Sequence, residues 1–358
     1  MSDKLILSID AMGGDNAPDI VIEGLSLVAK KHEDVFFLLF GDEKKILPLT
    51  EKFGLKADSF KIHHTEAVIK ADDKPSVALR AGRESSMFKA IMAVRNGYAK
   101  AVVSAGNTGA LMAISKICLG TIPGIDRPAI AAVLPTLKGP AIALDLGANA
   151  ECASHNLVEF AIMGDVFYRV LFGGKQKPSV GLLNIGSEDT KGRDEIKEAA
   201  SVLRSFGDKI NFCGFVEGND IGLGTTNVVV TDGFSGNVAL KTIEGTAKMI
   251  TSTLKEVVKK SVVSKLGFIL ALPALKTLKK KMDPRVYNGA MFLGLNGISV
   301  KSHGGADAFA FSCAVEYAVN MARNDLCQRI KQEVTDILAA TDLEADLAAE
   351  IAASEEKK

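Results

Sequence analysis

The sequence predicts an α/β fold in which a doubly wound, mostly parallel sheet carries helices on both faces. Apolar, strand-like runs alternate with helical patterns along most of the chain. Six of these runs end in a small cluster of Gly, Asn, Ser or Asp that opens the next helical pattern. In open α/β sheets such junctions share one edge, at the carboxyl ends of the strands, where ligands bind. The six junctions are residues 6–15, 101–109, 142–149, 180–192, 228–237 and 298–307.

The amino-terminal elements follow from hydrophobic periodicity and from turn residues. Residues 4–9 and 35–40 have the apolar character of buried strands, and residues 18–31 between them have the pattern of a helix. Residues 76–96 carry apolar side chains at helical spacing, and Ser76 is a good residue to cap the start of that helix. The order strand, helix, strand, helix is the one that builds a parallel sheet.

One pair of strands departs from the parallel pattern. Residues 130–134 and 141–144 are both strand-like, and the six residues between them are too few for a crossover helix. We therefore expect an antiparallel hairpin inside the sheet. Residues 1–342 are expected to form a single α/β domain, and the Ala- and Glu-rich residues 343–358 a frayed carboxyl-terminal tail.

Composition excludes some classes of function. The chain has 358 residues, 47% of them hydrophobic, which is enough to bury a large core. Its 43 basic and 43 acidic residues cancel and it has no Trp, so neither charge nor base stacking favours nucleic acid as a partner. Five scattered cysteines without a CxxC pair, and a start without a signal-peptide pattern, predict a cytoplasmic protein.

The polar junctions predict a site for an anion. Free N–H groups and the dipole at helix amino termini favour phosphate, but the chain has neither GxxxxGK[ST] nor GxGxxG, so the phosphate need not belong to a nucleotide. Five histidines without metal-ligand spacing predict no metal and no cofactor. We assign phosphate or substrate binding to small and amide residues of the junctions: Gly13, Gly14, Ser104, Gly106, Asn107, Thr108, Asn149, Ser235 and Gly236.

Eight motifs, in order along most of the chain, together resemble the bacterial phosphate acyltransferase family, PlsX. One departure from the family pattern lies at residues 287–292. The motifs are residues 10–18 (DAMGGDNAP), 74–80 (KPSVALR), 104–112 (SAGNTGALM), 124–128 (GIDRP), 144–149 (LDLGAN), 184–192 (NIGSEDTKG), 232–241 (DGFSGNVALK) and 302–304 (SHG).

The resemblance implies an enzyme that makes acyl phosphate from acyl-acyl carrier protein and inorganic phosphate, for phospholipid synthesis. It also implies a fold similar to that of phosphotransacetylases and the isocitrate dehydrogenase group, and a homodimer. The implied partners are acyl carrier protein, inorganic phosphate, the inner face of the cell membrane and a membrane-bound glycerol-3-phosphate acyltransferase.

Three residues are candidates for catalysis, because attack of phosphate on a thioester needs positioning and charge stabilisation from the protein. Lys191 is the best-placed cation, since Gly192 would let its loop approach a ligand; the alternative is an exposed loop lysine. Asn237, like Asn107, could donate amide hydrogens to the phosphate or the oxyanion, or cap a helix. His303 could assist proton transfer to the leaving thiolate, or serve a structural role.

Three aspartates at the junctions have a different expected role. Asp10, Asp145 and Asp232 each follow a strand, and a carboxylate would repel a phosphate dianion. We expect them to hold loop geometry by accepting N–H bonds.

Residues 266–275 form an uncharged run between two groups of lysines, inside a helical hairpin expected to protrude over residues 237–282. The run is half the length of a membrane span. It fits shallow insertion at an anionic membrane surface, a dock for an acidic carrier protein, or packing in a dimer. The contact residues are Phe268, Ile269, Leu270 and Leu272, with Lys260, Lys265 and Lys276 beside them.

Two rival functions remain from other classes of protein. A metal-dependent hydroxyacid dehydrogenase on the related fold would need NAD(P) and a cluster of carboxylates, which the sequence does not show. A non-enzymatic membrane scaffold would use only the apolar run. Formation of acyl phosphate without metal or nicotinamide separates the acyltransferase from both.

Overall fold

The computed structural model describes residues 4–173, 177–259, 267–268, 270–273, 275 and 283–337. Within these residues eleven strands form one sheet, in the order β3-β2-β1-β4-β11-β10-β5-β6-β9-β7-β8. The strands are β1 Leu5–Asp10, β2 Val35–Gly41, β3 Phe60–His64, β4 Ala101–Ser104, β5 Ala129–Thr136, β6 Gly139–Leu144, β7 Val180–Leu183, β8 Phe212–Val216, β9 Val228–Val230, β10 Ala290–Leu293 and β11 Ile298–Lys301.

The sheet is mostly parallel, as predicted, and all six junctions run from a strand into a helix. A further helical segment spans 326–337. The helices are α1 Asp19–Ala29, α2 Glu43–Phe53, α3 Pro75–Ala81, α4 Ser86–Arg95, α5 Thr108–Leu119, α6 Ser154–Phe172, α7 Asp194–Ser205, α8 Gly218–Leu223, α9 Gly233–Lys259 and α10 Ala308–Arg323.

The predicted hairpin is confirmed, and it reverses the direction of the sheet. β5 pairs antiparallel with β6 on one side and with β10 on the other, and β10 pairs antiparallel with β11. Strands β1, β4 and β11 are therefore parallel to one another, whereas β6, β9 and β7 run in the opposite direction. The chain thus builds two half-sheets, joined through β10 and β5.

The helix expected over residues 76–96 is broken in two. A 3₁₀ turn at Gly82–Glu84 separates α3 from α4, and the Ser85 hydroxyl accepts a hydrogen bond from Phe88 N at 3.2 Å, which starts a new helix. The prediction that Ser76 caps the helix was wrong, because the helix begins one residue earlier at Pro75, which has no N–H to be satisfied.

Helices cover both faces of the sheet and create two hydrophobic cores. Side chains of α1, α6, α7 and α10 pack with one face, and those of α3, α4, α5 and α8 pack with the other, together with the first turns of α9. On this second face α5 lies over β11, where the Ser115 and Ser299 hydroxyls are 3.1 Å apart. The start of α9 lies over β6, so β10 and β5 run between the two helices.

Helix α9 leaves the domain after its first turns. From Lys241 to Val257 almost every side chain is exposed, including the apolar Met249, Ile250 and Leu254. The expected hairpin over residues 237–282 stays a prediction. Its residues 260–266, 269, 274 and 276–282, which include Lys260, Lys265, Ile269 and Lys276, and the tail 343–358 lie outside the described residues. None of the helices in the described part of the chain is long and apolar enough to cross a membrane.

Replacement by alanine should have opposite effects on the free energy of unfolding at two glycines that lie inside helices. A Cβ on Gly24 of α1 would lie 2.8 Å from the carbonyl oxygen of Ala308 in α10, whereas a Cβ on Gly245 of α9 would meet no atom within 4 Å. Alanine favours a helix by about 1 kcal/mol over glycine. We expect Gly245→Ala to raise the free energy of unfolding by about 0.5–1 kcal/mol. Gly24→Ala should lower it by about 1–3 kcal/mol through overpacking.

Urea unfolding of the two variants beside the unmodified protein measures both effects. Stabilisation by Gly24→Ala would show that α1 and α10 can move apart freely, contrary to the close packing described here.

Candidate active site

The six junctions form two groups of loops rather than one continuous edge. The first cluster consists of the loops that follow β1, β4 and β11. The second cluster consists of the loops that follow β6, β7 and β9. The expectation of a single edge was wrong, because the hairpin of β5 and β6 reverses the second half-sheet and the two sets of carboxyl ends run opposite ways in the sheet. The hydrogen bonds that organise the loops divide in the same way.

The first cluster is organised around Asp10, a buried carboxylate at the end of β1. It accepts hydrogen bonds from the hydroxyls of Ser86 and Ser104, each at 2.6 Å, and from Met12 N at 3.3 Å. Burial raises the pKa of Asp10, and these hydrogen bonds oppose the rise. A Cβ on Gly13 would overlap the Asp10 carboxylate, so a glycine is required for this loop to close over the strand ends.

Lys301 in the first cluster was missed by the sequence analysis. It ends β11 and is only 8% exposed, and its ammonium group donates to the carbonyl oxygens of Ala105, at 3.2 Å, and Ser302. Burial lowers the pKa of Lys301 to about 8, opposed by the charges of Asp10 and Asp15. A lysine at the end of the strand-like run 298–301 was the signal available in the sequence.

The second cluster is organised around Asp145, which follows β6 and is fully buried. Its two oxygens accept hydrogen bonds from the backbone N–H groups of Ile130 at 2.9 Å, Gly147 at 3.1 Å, Ala148 at 3.0 Å and Asn149 at 2.7 Å, and from Nδ2 of Asn149 at 2.9 Å. Burial is the main reason that the pKa of Asp145 is raised. The N–H groups of this loop therefore donate their hydrogen bonds to the Asp145 carboxylate and not to a ligand.

The first turn of α9 packs directly on that loop. Gly233 N donates to Asn149 O at 2.7 Å, and a Cβ on Gly236 would overlap the carbonyl oxygen of Asp145. Asp232 caps the helix by accepting from Ser235 N at 2.7 Å and from its hydroxyl at 3.1 Å. Gly236 and Ser235 therefore build the site's framework, whatever contact they also make with substrate.

An ion pair ties the loop after β7 to the same helix. The guanidinium of Arg193 contacts the buried carboxylate of Asp232, so the loops after β6, β7 and β9 meet at the start of α9. All three aspartates thus accept hydrogen bonds within their loops, as expected. Lys191, two residues before Arg193, is exposed and forms no ion pair with any described residue. Its ammonium group remains available to an anion.

Gly192 serves a different purpose from the one expected. Its φ is +87°, and a Cβ there would overlap the side-chain oxygen of Asn184, a buried atom that has no hydrogen-bond partner in the described structure. Nδ2 of Asn184 donates to Lys191 O at 3.1 Å. The space above Gly192 is filled by Asn184, which fixes the backbone that presents Lys191.

The three amide candidates differ in what they contact. Asn107 caps α5, because its side-chain oxygen accepts a hydrogen bond from Ala110 N at 2.9 Å. Its Nδ2 donates to Ala71 O, in the loop before α3, at 2.8 Å. Asn237 is not a cap, because α9 begins four residues earlier; its Nδ2 donates to Leu146 O at 3.1 Å. Asn149 supplies both backbone and side-chain N–H groups to the second cluster.

The catalytic candidates lie in different clusters. Lys191 and Asn237 belong to the second cluster, whereas His303 belongs to the first, together with Gly14 and Thr108. The imidazole of His303 is exposed; its Nδ1 accepts from Gly305 N at 3.1 Å, and its backbone N–H donates to the side-chain oxygen of Asn288 at 3.0 Å. The hydrogen bonds of His303 therefore hold the loop after β11.

Cys152 lies beside the second cluster and is the obvious alternative nucleophile for a thioester. Burial, aided by the negative charge of Asp145, raises the pKa of its thiol to about 11. Because the thiolate is the reactive form, the thiol is a poor nucleophile at neutral pH. Among the described residues no group of three His, Cys, Asp or Glu side chains is arranged to hold a metal ion.

Comparison with known proteins identifies the family. Residues 5–329 match the family described as Fatty acid synthesis protein. The chain is 53% identical over 349 residues to the Phosphate acyltransferase of Paramagnetospirillum magneticum, covering 98% of this chain and 99% of that protein. It is 52% identical over 337 residues to that of Rhodospirillum rubrum, covering 94% and 96%. The chain belongs to this family, and the resemblance recognised in the motifs is confirmed.

Solved structures confirm the fold. A phosphotransacetylase from Streptococcus pyogenes superimposes with a TM-score of 0.61 at 14% sequence identity, covering 90% of this chain and 95% of that one. The EutD phosphotransacetylase from Staphylococcus aureus gives a TM-score of 0.56 at 16% identity, covering 89% and 94%. The expected likeness to the phosphotransacetylase fold is therefore correct.

Replacing the central carboxylate of the second cluster should unfold the loop. Asp145→Ala leaves four backbone N–H groups without their acceptor. The buried Ile130 N–H then costs about 1–3 kcal/mol, and each of the three part-buried donors loses a hydrogen bond worth about 1 kcal/mol. We expect the free energy of unfolding to fall by at least about 3 kcal/mol. Asp189→Ala removes an exposed carboxylate paired with Arg204 and should change it by less than about 1 kcal/mol. Equal effects of the two replacements in denaturant unfolding would contradict the role assigned to Asp145.

Proposed function

We propose that this member of the phosphate acyltransferase family transfers an acyl group from a thioester to inorganic phosphate and releases acyl phosphate. The observation that carries the proposal is identity above 50%, over nearly the whole chain, to proteins named Phosphate acyltransferase. The geometry supports it, because the second cluster presents Lys191, a cation without an ion pair among the described residues, on a loop fixed to α9, while Asp145 and Asp232 already accept hydrogen bonds from protein donors.

The reaction needs no nucleophile from the protein. An oxygen of inorganic phosphate attacks the thioester carbonyl carbon, a tetrahedral oxyanion forms, the C–S bond breaks, and the leaving thiolate takes up a proton. Its conjugate thiol has a pKa of about 8.5, so the thiolate leaves with little acid assistance. The high pKa of the Cys152 thiol supports direct attack by phosphate over an acyl-enzyme on this cysteine.

The residues of the second cluster have roles that follow from their positions. The ammonium group of Lys191 would balance the charge of the phosphate and of the oxyanion. Asn237 holds the carbonyl of Leu146, and thereby the Asp145 loop, against α9. The proposed substrate-binding residues divide between the clusters: Asn149, Ser235 and Gly236 lie in the second, and Gly13, Gly14, Ser104, Gly106, Asn107 and Thr108 in the first. His303, expected to assist the leaving thiolate, lies in the first cluster and not with Lys191 and Asn237.

The acyl donor is proposed to be an acyl-acyl carrier protein, and the product to enter phospholipid synthesis at a cytoplasmic membrane surface. We also propose that the chain works as a homodimer. Incubation with acyl-acyl carrier protein and inorganic phosphate should give hydroxylamine-trappable acyl phosphate without added metal or nicotinamide. Phosphate-independent hydroxamate formation, or a requirement for NAD(P), would overturn the proposal.

The protruding helix and the apolar run beyond it are proposed to contact an anionic membrane. In the described part of the run Leu270 is 84% and Leu272 40% exposed, in helical turns where Ala271 N donates to Gly267 O at 3.0 Å. Exposed leucines beside a lysine-rich sequence suit shallow insertion among acyl chains and anionic head groups.

Removal of the Lys191 charge tests the proposed charge stabilisation. Lys191→Ala should retain the fold and lower kcat about a hundredfold at saturating phosphate, the scale of one lost charge-stabilising group. The matched control is Lys197→Ala on α7, where an exposed ion pair with Asp194 is lost and activity should be unchanged. Unaltered kcat in Lys191→Ala would remove this lysine from the mechanism.

Acidic substitutions in the apolar run test membrane contact. Each apolar side chain contributes roughly 1.5–3 kcal/mol on full burial. Phe268→Asp combined with Leu270→Asp should therefore abolish flotation with anionic liposomes while leaving acyl phosphate synthesis from soluble substrates nearly intact. Dissociation into monomers, measured by analytical ultracentrifugation, would instead assign the run to a dimer contact. Undiminished flotation would exclude these residues from membrane binding.

A further inference from the structure

The helices on one side of the first cluster carry an unusual balance of charge. The whole chain has equal numbers of acidic and basic residues, yet α3, α4 and α5 contain no Asp or Glu. The turn between α3 and α4 adds Arg83 and a single acid, Glu84, which pairs with Lys89 at 2.8 Å. This part of the molecule is therefore strongly basic within a neutral protein.

Four of these cations are free to meet a partner. Arg80, Arg83, Arg95 and Lys116 are exposed, and none forms an ion pair with a described residue. Arg83 and Arg95 come from opposite ends of α4, but the charges of both act on the thiol of Cys118 near the end of α5 and lower its pKa against the effect of burial. Arg83 and Arg95 therefore lie near the carboxyl-terminal half of α5, which carries Lys116 itself.

The same surface exposes apolar side chains. Val77 on α3 is 51% exposed and Ile117 on α5 is 66% exposed. Helix α3 packs against α5. Val77 is one helical turn from Arg80, and Ile117 is next to Lys116 in the chain. We call this set, Val77, Arg80, Arg83, Arg95, Lys116 and Ile117, the basic helical surface. Cations around apolar contacts suit a folded acidic protein, because charge steers the encounter and apolar burial then adds affinity.

The basic helical surface is physically joined to the first cluster. Helix α5 begins in that cluster, where Asn107 caps it and its amide also holds the loop before α3 by donating to Ala71 O and Asp73 O. The 12 residues of α5 span about 18 Å. A protein docked at the far half of α5 would thus need a long arm to deliver a thioester to the glycine-rich loops.

We propose that the basic helical surface is the docking surface for an acidic carrier protein that holds the acyl thioester on a flexible arm. The inference rests on the proposed acyl transfer for its substrate, and on the charge and exposure of this surface for its location. The acidic carrier lies along α3 and α5, and its arm carries the thioester to the substrate-binding loops. The exposed apolar run beyond α9 then remains for the membrane.

Charge reversal tests the location. Arg83→Glu combined with Lys116→Glu should raise KM for the carrier-bound thioester at least tenfold and leave kcat nearly unchanged. A carrier-free acyl-pantetheine thioester should react with the same kcat/KM in the variant and the unmodified protein. The matched control, Lys30→Glu combined with Lys331→Glu, changes the net charge equally on exposed lysines outside this surface, and should leave both substrates unaffected.

Titration of fluorescently labelled carrier protein without an acyl group measures docking independently of catalysis. Weaker binding confined to the Arg83 and Lys116 variant, together with the loss of salt dependence, supports the proposal. Equal binding by all three proteins, or an equal loss in both variants, overturns it, as does a parallel fall in activity with the carrier-free thioester. Failure of the unmodified protein to form acyl phosphate from either thioester would refute the proposed function, while the titration would still decide the docking surface.

Discussion

The structure of the second cluster depends on one buried carboxylate. Asp145 gathers four backbone N–H groups and one side-chain amide at the end of β6, and the loop that it closes is the surface on which α9 begins. A buried carboxylate is unfavourable unless donors surround it, so charge and hydrogen bonds stabilise one another here. Because Gly233 and Gly236 pack on the same loop, the direction of the 27-residue helix α9 is set by this interaction.

A similar arrangement organises the first cluster. Asp10 stands at the end of β1 and accepts from two serine hydroxyls and a backbone N–H, while Lys301 two strands away donates to carbonyl oxygens. In both clusters the carboxylates at the strand ends, Asp10, Asp145 and Asp232, are directed inward, to the protein's own donors. Asp15 in the first cluster and Glu188 and Asp189 in the loop of Lys191 are exposed, so the cation of Lys191 faces an anionic substrate with carboxylates of its own loop nearby.

The two helices that flank the centre of the sheet have different surfaces. Helix α5 and its neighbours expose cations around Ile117, whereas α9 exposes apolar side chains such as Ile250 as it leaves the domain. The two surfaces lie on the same face of the sheet, on either side of β10 and β5. Under the two proposals, the first surface serves delivery of the substrate and the second serves release of the product at a membrane.

Much of this architecture is determined locally and could be predicted from the sequence. Strand and helix periodicity, the hairpin between β5 and β6 and the polar junctions are set by side-chain patterning over a few residues. The motifs at those junctions also sufficed to identify the family. Local patterning did not predict the break at Gly82, because apolar residues keep a helical spacing on both sides of it, and only the packed structure shows Ser85 starting a second helix.

Tertiary structure alone decided how the junctions are grouped. Each junction has the same local appearance, but the direction of its strand depends on pairing with residues far away in sequence, so two clusters replaced the expected single edge. The same applies to individual side chains. The reach of Asn237 to Leu146, the packing of Asn184 over Gly192 and the burial of Lys301 all arise between distant segments. Sequence patterns report local geometry, whereas these contacts exist only after the sheet has brought distant loops together.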